Sequence, residues 1–219
     1  MGSGRTLDFA RVFGGLGSRS AGSWARLSLL ALLTAVASPV RAGTFSTPHA
    51  IPADEHAIGF EPEVYLTNGA GVGANLRYTY GLSELNNLNI ILGTGGGPRR
   101  FRVGGNLTFD FFPDVEGQPG IGIALQGLYY RLRDRGQLEV QAMPYVHKTF
   151  FSAEKGTEIE PYFAVPFGLG FSDGNYRAIT QFVIGGMFKS SEKVRTILEF
   201  GIALNNTESY LSTGVVYYP

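Results

Sequence analysis

The chain contains no cysteine. That excludes a disulfide framework, a cysteine nucleophile, a thiolate metal site and a lipidated N-terminal cysteine. It also lacks any run of about 18 consecutive apolar residues, so no helix in it can cross a bilayer. Charge is scarce: Asp, Glu, Lys and Arg make up 16% of the 219 residues, against roughly 25% in soluble domains. The 18 acids balance the 18 bases, which argues against a nucleic-acid partner held through its phosphates. Histidines are few, and His49, His56 and His147 do not fall at metal-ligand spacing. No metal and no cofactor is expected. What the chain has in excess is glycine, with 31 residues.

The N-terminus reads as an address. Arg5, Arg11, Arg19 and Arg26 form a basic lead opposed only by Asp8, Leu27–Ala37 is a short apolar core, and Val40-Arg41-Ala42 offers small residues for a signal peptidase. Residues 1–42 are therefore expected to be a signal peptide with a long basic region; an amphipathic tail or organellar transit peptide is the alternative. Residues 43–55, with Pro48 and Pro52, form an extended lead-in, and residues 56–219 one all-β domain.

In that domain hydrophobicity alternates with period 2. Arg100–Phe111 shows the device: Phe101, Val103, Gly105, Leu107, Phe109 and Phe111 fall on one face, and Arg100, Arg102, Gly104, Asn106, Thr108 and Asp110 on the other. Ten such windows follow one another: 57–67, 71–82, 87–94, 100–111, 120–131, 137–151, 157–171, 176–189, 194–204 and 207–218. Turn residues such as Asn68-Gly69-Ala70, Gly95–Pro98, Asp134–Gly136 and Asp173-Gly174 separate them. The pattern predicts an antiparallel meander closed into an up-and-down barrel, of ten strands by preference and eight as the fallback. Pro62, Pro144, Pro161 and Pro166 fall inside the windows. Each removes a ladder hydrogen bond, so bulges or local breaks are expected, above all at Pro161–Pro166.

Period 2 alone fits a soluble barrel with an apolar inside or a membrane barrel with an apolar outside. The polar face decides. Its commonest resident is glycine (Gly73, Gly93, Gly104, Gly122, Gly185, Gly201 and others), which offers nothing to water but leaves room in a narrow lumen. The apolar face carries Tyr80, Phe101, Phe109, Phe111, Phe150, Phe163, Phe167, Phe171, Phe182, Phe188, Phe200 and Tyr217, several near segment ends as an interfacial girdle requires. With windows of about 11 residues, suited to a tilted spanning strand, and an alternating tail at Val215-x-Tyr217, the chain resembles the small outer-membrane β-barrel proteins of Gram-negative bacteria. It departs from them in ending on Pro219. The resemblance implies residence in the outer membrane, lipid as the surrounding partner, the barrel-assembly machinery during biogenesis, and a monomer. A secreted soluble barrel that binds a lipid or other apolar ligand is the alternative.

The inward face then holds Glu61, Glu63, Asp110, Glu139, Glu158, Glu160, Glu199 and Glu208 against Arg77, Arg100, Arg102, Arg177, Lys189, Arg195 and His147. Near balance suggests ion pairs that plug the tube rather than a selective ring of one sign. A three-residue turn at Asn68–Ala70 would set Glu61 opposite Arg77 and Glu63 opposite Asn75. A two-residue turn at Asp173-Gly174 would set Glu158 opposite Lys189. If the pore were open, Arg100 and Arg102 would attract anions at one end. The expected role is structural, or passage of small solutes through a narrow lumen, without catalysis. An outer-membrane lipid-modifying enzyme is a third reading; it would use His147, oriented by Glu160, Tyr145 or Tyr162, but the short turns leave little rim on which to build a site. The glycine-rich Gly69–Gly73 feeds a strand and not a helix, so it is no phosphate loop.

Overall fold

The computed structural model describes residues 49–67, 70–96, 99–132, 135–152 and 156–219, with backbone alone at 99, 100 and 132. The expected signal peptide and residues 43–48 lie outside these. Every regular element among the described residues is a strand: β1 (His56–Tyr65), β2 (Gly71–Ser83), β3 (Asn86–Gly95), β4 (Arg99–Phe112), β5 (Gly120–Leu132), β6 (Arg135–His147), β7 (Phe150–Ser152), β8 (Thr157–Ala164), β9 (Phe167–Ser172), β10 (Asn175–Ser191), β11 (Val194–Asn205) and β12 (Tyr210–Tyr217). Each pairs antiparallel with its neighbours, and β12 returns to β1, with Ile58 opposite Tyr217. The sheet is a closed barrel. β7 prolongs β6 past a break at Lys148-Thr149, and β8 and β9 form one wall strand interrupted at Val165-Pro166. The wall therefore has ten strands, one for each alternating window.

The prolines disturb the ladder of β6 on β8 and β9 without shifting it. β6 meets β8 at Tyr145↔Ala164 and β9 at Ala142↔Phe167 in the same register, and the Val165 amide still donates to the Pro144 carbonyl at 3.0 Å. A break is present at Pro166, and beside it the register of β10 on β11 shifts between Thr180 and Gln181, whose amide donates to the Pro166 carbonyl at 2.9 Å; the other register shifts lie near strand ends. Hairpins set the remaining geometry. Asp173 (φ 50°) and Gly174 (φ 76°) close a two-residue turn between Ser172 and Asn175, where both central residues need positive φ to match the strand twist.

The faces sort as the alternation requires. Along β1 the exposed side shows Ile58, Phe60 and Val64, while Glu61, Glu63 and Tyr65 are buried. Phe101, Phe111, Phe150, Phe167, Phe171, Phe188, Phe200 and Tyr217 are exposed on the outer wall. Tyr80, Phe109, Phe163 and Phe182 are half-buried there, the last two ring to ring at 4.3 Å. Inside, Arg102 is 3% exposed and Glu160 1%. A soluble protein has the reverse distribution.

Candidate functional site

Inward glycines make the interior possible. A Cβ at Gly122 or Gly185 would strike the ring of Tyr145 or Tyr162, and one at Gly201 would overlap Tyr210. Each tyrosine sits directly across the ladder from its glycine, so a large ring lies flat over a residue without a side chain. The hydroxyls then reach carboxylates: Tyr145 donates to Asp110 and Tyr162 to Glu199, both at 2.6 Å, and Tyr210 donates to the second oxygen of Glu199. Tyr130 donates to Glu139 at 2.6 Å. Tyrosines on the polar parity opposite glycine were the signal for this layer; the reading by charge alone passed over them.

Around them run the ions. Arg77 Nη2 lies 2.7 Å from Glu61, and Arg102 is held by Glu63 and the Tyr65 hydroxyl. A ladder of amides crosses four strands: Thr79 donates to Asn89 at 2.7 Å, Asn89 to Asn106 at 2.8 Å, and Asn106 to Gln126 at 3.4 Å. Ala124, Met143, Ala164 and Val183 pack with Tyr145 and Tyr162 among these polar groups. Through this layer the inward side chains of the described residues are buried against one another.

Several pairings differ from the sequence expectation. β1 and β2 join through a longer connection, so Glu61 faces Asn75 and Glu63 faces Gly73, two residues from the expected register; Arg77 still reaches Glu61 along the diagonal. β8 and β10 keep the expected register, with Ile159 opposite Phe188, yet Lys189 turns to Glu192 in the hairpin at 3.1 Å and Arg195 takes Glu158 at 2.6 Å. Arg102, expected to draw anions, is buried and neutralised by Glu63. Arg100 has no described side chain. Arg177 stands 3.9 Å from Glu139, and Gln181 donates to the Glu208 carbonyl at 2.7 Å.

Of the described lead-in residues, Ile51 is buried in the interior and His49 and Ala50 are half-buried, while residues 52–55 are exposed. Both chain ends of the barrel lie at one mouth, here the terminal end, and Ile51 of the lead-in is buried there. Asn87 clamps this strap in the manner of a strand edge, its amide donating to the His49 carbonyl at 3.0 Å and its oxygen accepting from the Ile51 N–H at 3.3 Å. Ile51 is buried against Ala57, Met187, Ile197, Val216 and Tyr218. Gly81 has to lack a side chain, since a Cβ there would overlap the Pro52 carbonyl. His49 Nδ1 lies 2.6 Å from one oxygen of Glu160, and His147 Nδ1 lies 2.8 Å from the other. His147 Nε2 is 3.6 Å from Asp110. Of the three groups proposed to orient His147, Glu160 does so; Tyr145 goes to Asp110 and Tyr162 to Glu199. His147 is thus surrounded by carboxylates and lies inside the barrel, with no serine or threonine hydroxyl hydrogen-bonded to it among the described residues. No group of three His, Asp or Glu among them is placed to hold a metal.

Outside the wall, Lys148 closes the β4–β5 loop by donating to Asp114 at 2.6 Å and to the Val115 and Gln118 carbonyls. Burial raises the Asp114 carboxyl, but hydrogen bonds from Lys148 and from the Thr149 amide outweigh it and hold the group below its ordinary range.

No family model matches the chain, and no curated protein does. Among solved structures it is similar to the COG4313 outer membrane channel from Pseudomonas putida F1, with 12% identity, a TM-score of 0.45, and coverage of 81% of this chain and 100% of that one. It is likewise similar to the KdgM porin (12%, 0.38, 74% and 98%) and to a de novo designed transmembrane β-barrel (13%, 0.39, 78% and 100%).

Proposed function

We propose that this chain is an integral outer-membrane barrel without catalytic machinery, whose lumen is a narrow path for small solutes held shut at rest. The observation that carries the reading is the inversion of the fold. An exterior of Leu, Ile, Val and Phe surrounds an interior of paired Glu, Arg and Tyr. Water would solvate such ions and reject such a wall; a bilayer does the opposite. A strand of 13 residues such as β5 is about 43 Å long, and tilted by about 45° it spans about 30 Å, the hydrocarbon thickness. With an even number of wall strands, the two termini share the periplasmic side, and the strap closes that mouth. The alternative of a soluble barrel with apolar cargo needs an apolar cavity where this interior places Glu61, Arg77 and Glu199.

Extraction and conductance test it together. The protein should leave membranes only in detergent and should change its gel mobility on heating. Planar bilayers containing it should be quiet, and Tyr162→Ala/Tyr210→Ala, which removes two rings from the buried layer, should produce channel events. A protein soluble without detergent would end the membrane reading. Steady large conductance from the unaltered chain would end the closed lumen.

A further inference from the structure

At the mouth opposite the termini, a pocket of about 210 Å³ opens between β6, β9 and β10. We propose that it binds an oxyanion, a carboxylate or phosphate group, with Arg177 as its principal cation. Arg135, Gly170, Ser172, Asp173, Asn175, Tyr176 and Arg177 line it. The Arg177 side chain is 27% exposed, but its Nε and Nη2 are themselves buried and have no hydrogen-bond acceptor among the described residues. Its carboxylate partner among the described residues, Glu139, stays 3.9 Å away and is engaged by the Tyr130 hydroxyl. A guanidinium has five N–H donors in a fixed fork that suits two oxygens of one anion. Here the Nε–Nη2 edge of that fork is buried over Gly170 at the wall of the pocket without an acceptor, so an anion drawn in from the pocket would supply the oxygens it lacks.

The surroundings are arranged to admit such a group. Gly170 lies against the guanidinium, and a Cβ there would come within 3.3 Å of Nε and 3.5 Å of Nη2. Asp173, the carboxylate in the pocket, is held by Arg135 at 2.8 Å. Both are well exposed, 75% and 51%, so Arg135 can turn toward a second anionic oxygen at little cost. Ser172 and Asn175 supply neutral donors. Among the described residues, the cations at this end are arginines, namely Arg99, Arg100, Arg131, Arg135 and Arg177, set against the turn carboxylates Asp173 and Glu208. The lysines Lys148 and Lys193 belong to turns at the terminal end. A mouth rich in one sign steers the opposite sign toward it. The oxyanion could belong to a dissolved solute or to a lipid headgroup at the rim, and the chemistry at Arg177 is the same for both.

The full chain in neutral detergent micelles, titrated calorimetrically with inorganic phosphate at low salt, tests this. The control is Arg131→Gln, which removes an exposed arginine on the outward face of the same rim. Arg177→Gln should weaken binding about tenfold or more, and Arg131→Gln less than about twofold. Gly170→Ala keeps every charge but crowds the guanidinium, and it should also weaken binding; it serves if Arg177→Gln fails to fold. Binding of free phosphate assigns the site to a solute. Binding only when the micelles carry phosphatidic acid assigns it to a headgroup. No binding of either probe, or equal losses in Arg131→Gln and Arg177→Gln, overturns the proposal. The readout needs no conductance, so its failure leaves the membrane barrel standing, and a silent bilayer leaves the site standing.

Discussion

Leu76 and Leu82 lie on the same face of β2, with 49% and 48% of their surface exposed. They differ in depth. Leu76 is one residue from the middle of Gly71–Ser83 and Leu82 one residue from its end. Their separation of six positions corresponds to about 20 Å along the strand, or about 14 Å along the membrane normal at a 45° tilt. If the outer wall faces hydrocarbon, arginine at Leu76 sits near the midplane and should cost about 2–4 kcal/mol, whereas arginine at Leu82 reaches the interface and should cost about 0–1 kcal/mol. In a soluble barrel both positions are exposed to water, and both changes should stay within about 0.5 kcal/mol. Equilibrium unfolding by guanidinium from short-chain phosphatidylcholine vesicles measures the two variants against the parent. The pairing holds residue type, strand and exposure fixed, so the difference reports depth alone. A Leu76→Arg penalty no larger than that of Leu82→Arg would refute the bilayer-facing wall.

The glycine–tyrosine packing predicts that Gly201→Ala, whose new methyl overlaps Tyr210, costs about 1–3 kcal/mol in the same unfolding experiment. Gly127→Ala, whose Cβ meets nothing within 4 Å, should be neutral or stabilising by up to about 1 kcal/mol. Gly81→Ala must displace Pro52, so the amides of Ile51 and Asp54, bonded to Asn87 and the Gly81 carbonyl, should exchange hydrogen faster while the central wall amides stay protected. The Asp114–Lys148 clasp has a depressed carboxylate, so its stabilisation is complete above the ordinary Asp range of about 4 and is lost as pH falls through the lower folded-state value. NMR titration should show the loop opening there, and Asp114→Asn should abolish that step.

Alternation revealed the ten wall strands and the side each residue takes, because a strand has only two faces and a closed barrel treats them oppositely. It could not reveal register. A slip of two residues preserves every face, and that is how Glu61 came to lie opposite Asn75 and not Arg77. Partners across the lumen were beyond the pattern as well. Arg102 on β4 is neutralised by Glu63 on β1, with two strands between them, and nothing in local spacing joins them. Arg195 and Lys189 share a face, so the choice between them for Glu158 depended on the geometry of the hairpin at Glu192-Lys193. The strap has no period at all. Its seat is made by features with ordinary explanations in isolation: a glycine in a strand at Gly81, an inward amide at Asn87 and a histidine before the fold begins. Arg177 was legible as an inward cation, while the pocket beside it required the β9–β10 turn.

The chain's one tryptophan is Trp24, so in a Trp24→Phe background a single tryptophan placed at Leu125 or Leu198, on opposite sides of the wall sheet order, reports its own surroundings. In vesicles whose acyl chains carry bromine, both emissions should be blue-shifted and strongly quenched if the apolar face of the barrel lies in lipid. Emission at the wavelength of water-exposed indole, unquenched by the brominated chains at either position, would contradict it.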